Sequence, residues 1–270
     1  MKVKIFCTSI KYLKVIDKLP DYINPVGLGE NKFPEHWLDE KRGTNISELN
    51  KYYGELTGLY WLWKNITPEM QDTDIIGNCH YRKLWLNNFY SKKIKITFSS
   101  LNSNLLQPND HDFTKIDCVQ VQPIIFQNKN LIEDFINIHK TDVIIQCANF
   151  LKDNNKELFL KHLGQNNLYP LNMFITKVKF FREYCDEIFP WLEKSLNLCI
   201  KKNLCKDYNQ RLPAFLAERF TSFWFSKYLN RIILSYARLG KFYLSNKINN
   251  LIYPLKLPFT FTGYPTIHRY

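Results

Sequence analysis

The chain has 270 residues, enough for one substantial domain or two small ones. Hydrophobic residues at 45% and charged residues at 23% exclude a disordered or fibrous chain, and 16% aromatics make a sizeable core easy to build. The 37 Lys and Arg against 25 Asp and Glu leave a net charge of +12, which favours an anionic partner: nucleic acid, an acidic membrane surface or a phosphorylated small molecule.

Lys2 to Cys7 alternates charged and apolar residues and predicts a first strand. Residues 20–46 carry Pro20, Pro25, Gly27, Gly29, Pro34 and Gly43 and are expected to form a long irregular loop. Ser47 reads as the N-cap of a helix over Glu48 to Asn65. Ile75 to Cys79 predicts a short buried strand, and Lys95 to Phe98 and Cys118 to Phe126 two more. Helices are expected over Asn130 to Lys140, Asp142 to Lys152 and Lys156 to Leu163, then a strand over Leu171 to Ile175. Lys177 to Leu198 reads as a helix broken or kinked at Pro190. Leu212 to Leu229 is the clearest helix, with Pro213 in its first turn. Strands interleaved with helices predict an α/β fold with a mostly parallel or mixed central sheet flanked by helices.

The seven cysteines are scattered, with no CxxC pair and no zinc-finger spacing, as expected of free thiols in the cytoplasm. The basic start, Met1 to Cys7, has too short an apolar run for a signal peptide, and no apolar stretch reaches the roughly 18 residues of a bilayer span. A soluble or surface-bound chain is expected. Walker A, GxGxxG, HExxH and GxSxG motifs are absent.

Four constellations could carry chemistry. His80-Tyr81-Arg82-Lys83 follows an apolar strand, where ligands of open α/β sheets bind; the cations there suit a phosphate or carboxylate, though a strand end turning into solvent often carries them too. In the segment Glu48 to Asn65, Gly54 and Gly58 read as close packing. Glu55 is either an ion-pair partner of Lys51 or a site residue, and Tyr60, Trp61 and Trp63 read as core. Asn172, in an apolar run, must find hydrogen bonds if buried, from backbone or from a ligand hydroxyl. On the helix after Asn209, Arg211, Ala214, Glu218 and Ser222 share a face, and Glu218 is balanced between a structural salt bridge and a proton-abstracting carboxylate. The one Asp-x-Asp, Asp72-Thr73-Asp74, precedes its strand and is poorly placed to hold a metal at the carboxyl end.

Ordered blocks across roughly residues 1–228 resemble a known family. They comprise Asp39, Gly43-Thr44-Asn45-Ile46-Ser47, Asn50, Tyr53, Glu55 to Trp61, Trp63-Lys64-Asn65, Ile76-Gly77, His80-Tyr81-Arg82, Asn172 to Ile175, Gln210-Arg211 and Ala217-Glu218-Arg219. The chain is similar to the bacterial capsular-polysaccharide glycosyltransferases catalogued as domain of unknown function 4422. The resemblance implies a single GT-A-like domain over residues 1–229 and transfer of a hexose-type sugar from a nucleotide-diphosphate donor. The acceptor implied is a lipid-linked or oligosaccharide precursor of capsule or O-antigen. It implies Glu218 and Glu55 as catalytic carboxylates and Thr8, Asn45, His80, Tyr81, Arg82, Asn172 and Arg211 as donor-binding residues. Two positions depart from the family pattern: Thr8-Ser9-Ile10-Lys11 stands where Thr-His-Lys is usual, and Lys83 where Arg is usual. With cations where metal-dependent relatives of this fold carry Asp-x-Asp, no divalent metal and no other cofactor is expected.

Residues 230–270 form a basic, aromatic extension. Ile232, Ile233, Tyr236, Leu239, Phe242, Tyr243 and Leu244 recur mostly three or four apart, with Arg231, Arg238, Lys241 and Lys247 interspersed. Such a segment suits either the anionic inner face of the plasma membrane or packing back on the domain. Two other functions stay open. One is a nucleic-acid binder, favoured by charge and aromatics but lacking a recognised motif. The other is a non-catalytic sugar-binding component of a glycan assembly complex.

Overall fold

The computed structural model describes residues 1–90, 95–152, 154–227, 230–239 and 258–260. The strands are β1 (Val3–Ser9), β2 (Ile23–Gly27), β3 (Leu38–Asp39), β4 (Ile75–His80), β5 (Lys83–Trp85), β6 (Lys95–Thr97), β7 (Cys118–Val121), β8 (Ile124–Ile125), β9 (Asn167–Leu168), β10 (Phe174–Lys177), β11 (Arg231–Leu234), β12 (Tyr236–Arg238) and β13 (Pro258–Thr260). The helices are α1 (Asn50–Tyr53), α2 (Leu56–Trp61), α3 (Phe98–Asn104), α4 (Leu131–His139), α5 (Val143–Ala148), α6 (Asn155–Leu163), α7 (Val178–Lys201) and α8 (Leu212–Ser226).

A mixed sheet runs in the order β11-β7-β10-β4-β1-β2-β3. β3, β2, β1 and β4 are parallel, β10 is antiparallel to β4 and β7, and β11 is parallel to β7. Alternation along β1 decides the layers: Phe6 packs under α2, α7 and α8, while Ile5 and Cys7 face a second core with Trp37, Leu105 and Phe113. Both faces are covered, which is why Ile5-Phe6-Cys7 of β1 and Ile75-Ile76 of β4 are apolar on successive positions. Tyr60 and Trp63 pack on Phe189 of α7, and Trp61 is buried, so these aromatics are core. All seven cysteines are free, six of them buried.

Several expectations are corrected. The loop over 20–46 contains β2 and β3. Pro25 is tolerated because β3 pairs only with Val26 and Gly27, leaving no ladder partner for Pro25 on that side. The helix from Glu48 is split at Gly54, whose φ of 56° and ψ of −128° end α1, and the second piece continues beyond α2 as a π turn over Leu62–Ile66. The Ser47 hydroxyl donates to Asn45 Oδ1 and does not cap a helix. The strand from Cys118 stops at Val121, and beyond Pro123 the short β8 leaves for β9. The strand expected from Leu171 begins at Phe174. α7 runs unbroken through Pro190. A helix, α3, follows β6 where only a strand was expected.

Residues 231–238 do not form a helical stripe. β11 extends the sheet beside β7, and β12 pairs with β5, which folds back from β4. Leu234, Tyr236 and Leu239 are buried there. A period of two, with Ile232, Leu234 and Tyr236 on alternate positions, was concealed by the neighbouring Ile233 and Leu239. Phe242, Tyr243, Leu244, Lys241 and Lys247 lie outside the described residues.

Candidate active site

The strand order reverses direction between β1 and β4, and a crevice outside their carboxyl ends is where open α/β sheets bind ligands. Thr8 of β1 and His80 of β4 are register partners there. The His80 Nδ1 lies 3.3 Å from Thr8 Oγ1, and its Nε2 lies 2.7 Å from the Leu171 carbonyl. A carbonyl only accepts, so the Nε2 carries the proton. Burial lowers the His80 pKa below its ordinary value against the pull of Glu55 and the Leu171 carbonyl, so the ring is neutral at pH 7.

Leu171 and Asn172 form the floor. Both have left-handed backbone, with φ of 82° and 50°. A leucine in that region costs of order 1–3 kcal/mol and persists only when its surroundings over-determine it. Here they do. The Leu171 N–H donates to Glu218 Oε1 at 2.6 Å, and Asn78 Nδ2 donates to the Asn172 carbonyl at 2.6 Å. Asn172 Oδ1 accepts from Thr221, and its Nδ2 donates to Glu55 Oε1 at 3.0 Å.

Glu55 and Glu218 face this turn from different elements. Glu55 stands just ahead of α2, and its Oε2 accepts from Arg211 Nη2 at 2.9 Å, not from Lys51. The Gly54 break makes room for that pair, because a Cβ at position 54 would fall 1.9 Å from Arg211 Nη2. Gly58 sits against Leu28 and Thr8, the close packing expected of it. Burial alone would raise the Glu55 carboxyl; His80, Arg211 and the Asn172 amide outweigh it and hold it below its ordinary value. Glu218, on α8, accepts from Arg219 Nη1 at 3.1 Å, and Arg219 is anchored to buried Asp134 at 3.0 Å.

Six of the residues singled out in the sequence therefore share one hydrogen-bonded network: Thr8, His80, Glu55, Asn172, Arg211 and Glu218. Tyr81 and Arg82 form the two-residue turn between β4 and β5, with exposed Arg82 lying 5.1 Å over the Tyr81 ring. Asn45 is not brought to this network. Its side chain is occupied by the Lys41 and Gly43 carbonyls and by Ser47, so it shapes its own loop. Asp74 accepts from the Lys2 and Gln71 amides and Asp72 pairs with Arg182, at the amino edge. Among the described residues no three His, Cys, Asp or Glu side chains converge on a metal position. A separate cavity of about 430 Å³ lies beside α7 against Phe150, Glu187 and Trp191, away from this network.

Two contributors escaped the sequence reading. Asp134 and Thr221 brace the site from α4 and α8, and nothing in their local pattern marks them, since their partners are distant in the chain. Lys83 was read as one of the strand-end cations and as a departure from the family pattern, without its surroundings. It stands half-buried in β5 within the fields of Glu218 and Glu55, and burial lowers its ammonium to about 8.

The order of strands defines a mixed α/β sheet with its crevice at the carboxyl edge of β1 and β4. Residues 4–230 match the family described as "Domain of unknown function (DUF4422)", and the chain belongs to that family. Its fold is similar to the apo structure of WbbM, described as a bifunctional glycosyltransferase. The TM-score is 0.69 at 19% identity, over 89% of this chain and 46% of that one, so the chain spans about half of WbbM's length. No curated protein matches. Among the described residues no helix is long and apolar enough to cross a membrane.

Proposed function

We propose that the chain is a glycosyltransferase that moves a hexose-type sugar from a nucleotide-diphosphate donor to a capsule or O-antigen acceptor, lipid-linked or oligosaccharide, without a divalent metal. The observation that carries this reading is the joining of Thr8, His80, Glu55, Asn172, Arg211 and Glu218 in one network at the switch point, beside the cationic turn at Arg82. The similarity to a glycosyltransferase fold supports it. The donor diphosphate would lie against Tyr81 and Arg82, where a guanidinium offers two parallel hydrogen bonds. Neutral His80 and Asn172 set the floor for the sugar.

Of the two carboxylates, Glu218 is the better base. Glu55 is clasped by Arg211 and held low, which weakens its pull on a hydroxyl proton. Glu218 is oriented by Leu171 N–H and keeps lone pairs to accept that proton. The acceptor oxygen bonds to the anomeric carbon as the bond to the diphosphate breaks. The bonding pair leaves with the phosphate oxygen, and the acceptor proton passes to Glu218. Residues 1–229 would carry this chemistry with β11 and β12 completing the sheet beside them, and the basic extension over 230–270 would meet the anionic inner face of the plasma membrane.

The test is turnover of UDP- and GDP-hexoses by the purified chain, with and without EDTA, in wild type and Glu218→Gln. Glu218→Gln should stay folded, with a lowered melting point because Arg219 loses a charged partner, and should lose about 10²–10⁴ in rate; EDTA should leave the wild-type rate intact. A folded Glu218→Gln at full rate would remove Glu218 from the role. Loss of turnover in EDTA with rescue by manganese would refute metal independence.

A further inference from the structure

The antiparallel ribbon of β5 and β12 places Lys83 directly opposite Arg238, and Lys83 is also the register partner of His80. Cross-strand partners project to the same side of a ribbon, and like charges placed directly opposite destabilise it. Arg82 lies one residue away at the tip of the turn. The fold therefore draws three cations together at the carboxyl edge. The two nearby carboxylates are already engaged, Glu55 with Arg211 and Asn172, Glu218 with Arg219 and the Leu171 amide. Lys83 forms no ion pair with a described residue. Its ammonium stands 5.8 Å from the Tyr236 ring centroid, on a half-buried side chain.

We propose that Lys83 and Arg238 complete a three-cation clamp with Arg82 that grips the donor diphosphate and neutralises it as it departs. The inference rests on the donor reading above and adds to it two residues, one supplied by the chain beyond residue 230, where the family match ends. As the bond between the anomeric carbon and the diphosphate breaks, the phosphate oxygen takes the bonding pair and gains a negative charge. Fixed cations aimed at that oxygen lower the barrier because they act where charge develops.

The clamp has a pH signature. The groups around Lys83 are His80 from β4, Arg82 in the turn, Tyr236 and Arg238 from β12, Glu55 ahead of α2 and Glu218 from α8. The arginines stay charged between pH 7 and 9, His80 is already neutral, and the terminal phosphate of UDP or GDP, with its last pKa at about 6, is mostly ionised there. Lys83, lowered to about 8, is the group of this set that loses charge in that window.

Calorimetric titration of UDP, GDP and inorganic pyrophosphate into wild type, Lys83→Met, Lys83→Arg, Arg238→Met and Arg238→Lys at pH 7 and pH 9 tests this, with a thermal melt of each variant. Wild type should bind more weakly at pH 9 than at pH 7, and Lys83→Arg should hold its affinity at pH 9. Lys83→Met and Arg238→Met should each lose roughly ten- to a hundredfold, and Arg238→Lys less. If both Met variants are folded and bind as wild type does, the clamp is refuted while the donor reading stands. If a Met variant fails to fold, equal pH dependence in wild type and Lys83→Arg refutes the clamp. If wild type binds none of the three probes, the clamp and the donor site fall together.

Discussion

Two arginines two helical turns apart, Arg211 and Arg219, each clasp carboxylates that frame the same strained turn, and they do different work. Arg211 is 50% exposed, and its partner Glu55 opens to the crevice at 19%. Arg219 is 4% exposed, bridges Glu218 to Asp134 and leaves its own Nε without a partner. Water screens the first pair, so it holds Glu55 in position and contributes little stability. The second is buried behind the site. Removing Arg219 leaves Glu218 without its cation and Asp134 with only the partly exposed Lys129, 2.7 Å away, in a low-dielectric interior. The site is thus built on a buried charge cluster and presented through an exposed one.

Breaking the buried cluster is the largest perturbation. Arg219→Met should lower the unfolding free energy by about 3–5 kcal/mol, read as a drop in the urea midpoint. Adding Asp134→Leu should recover only a small part of that, because it removes one carboxylate left short of cations but also takes away the partner of Lys129. A loss below about 1 kcal/mol in the single variant would show that the triad braces nothing.

The same helical layer holds two neutral histidines, and they make acid the next way to undo it. His162 accepts from Ser222 on α8, and His139 donates to Asn209 at the end of α4. Burial lowers both to about 4. The unfolded chain takes up protons first as pH falls through 6.5. Stability is therefore full above that value and is lost down to about 4. The cost is roughly 2–4 kcal/mol for each histidine. Thermal melts from pH 7 to 4 should fall steeply, and His162→Gln should flatten the profile. A wild-type melting temperature constant over that range would contradict it.

The contrast between the two arginines also marks what could be read from sequence. The carboxyl-edge placement of His80-Tyr81-Arg82 was legible because an apolar run followed by cations is a local signal. So were the free thiols, the central helix α8 and the mixed α/β class. β2 was hidden by Pro25 and Gly27, since its pairing depends on neighbours the sequence does not show. The partners of Glu55 and Arg219 were hidden for the same reason: Arg211 lies 156 residues from Glu55, and Asp134 85 from Arg219. Lys83 was read as a family departure, and only the pairing of β5 with β12 reveals the cation opposite it.

The smallest effect on stability, and the sharpest test of the contrast, belongs to Arg211→Met. An exposed pair is worth 0–1 kcal/mol, so at pH 7 the melting curve should barely move. The acid behaviour should change. In wild type the Glu55 carboxyl is held below its ordinary 4.5, so its contribution to stability is present above that value and is lost as pH falls through the lowered one. Without Arg211, burial is opposed by His80, the Asn172 amide and its own backbone N–H, and the carboxyl must climb. Its contribution then fades at a higher pH, and where turnover is measured the acid limb of kcat/KM shifts upward with it. Glu55→Gln should abolish the difference between wild type and Arg211→Met, because no titrating carboxyl remains. If Arg211→Met instead costs as much as Arg219→Met at pH 7, the Glu55 pair belongs to the scaffold and the division between the two clusters does not hold.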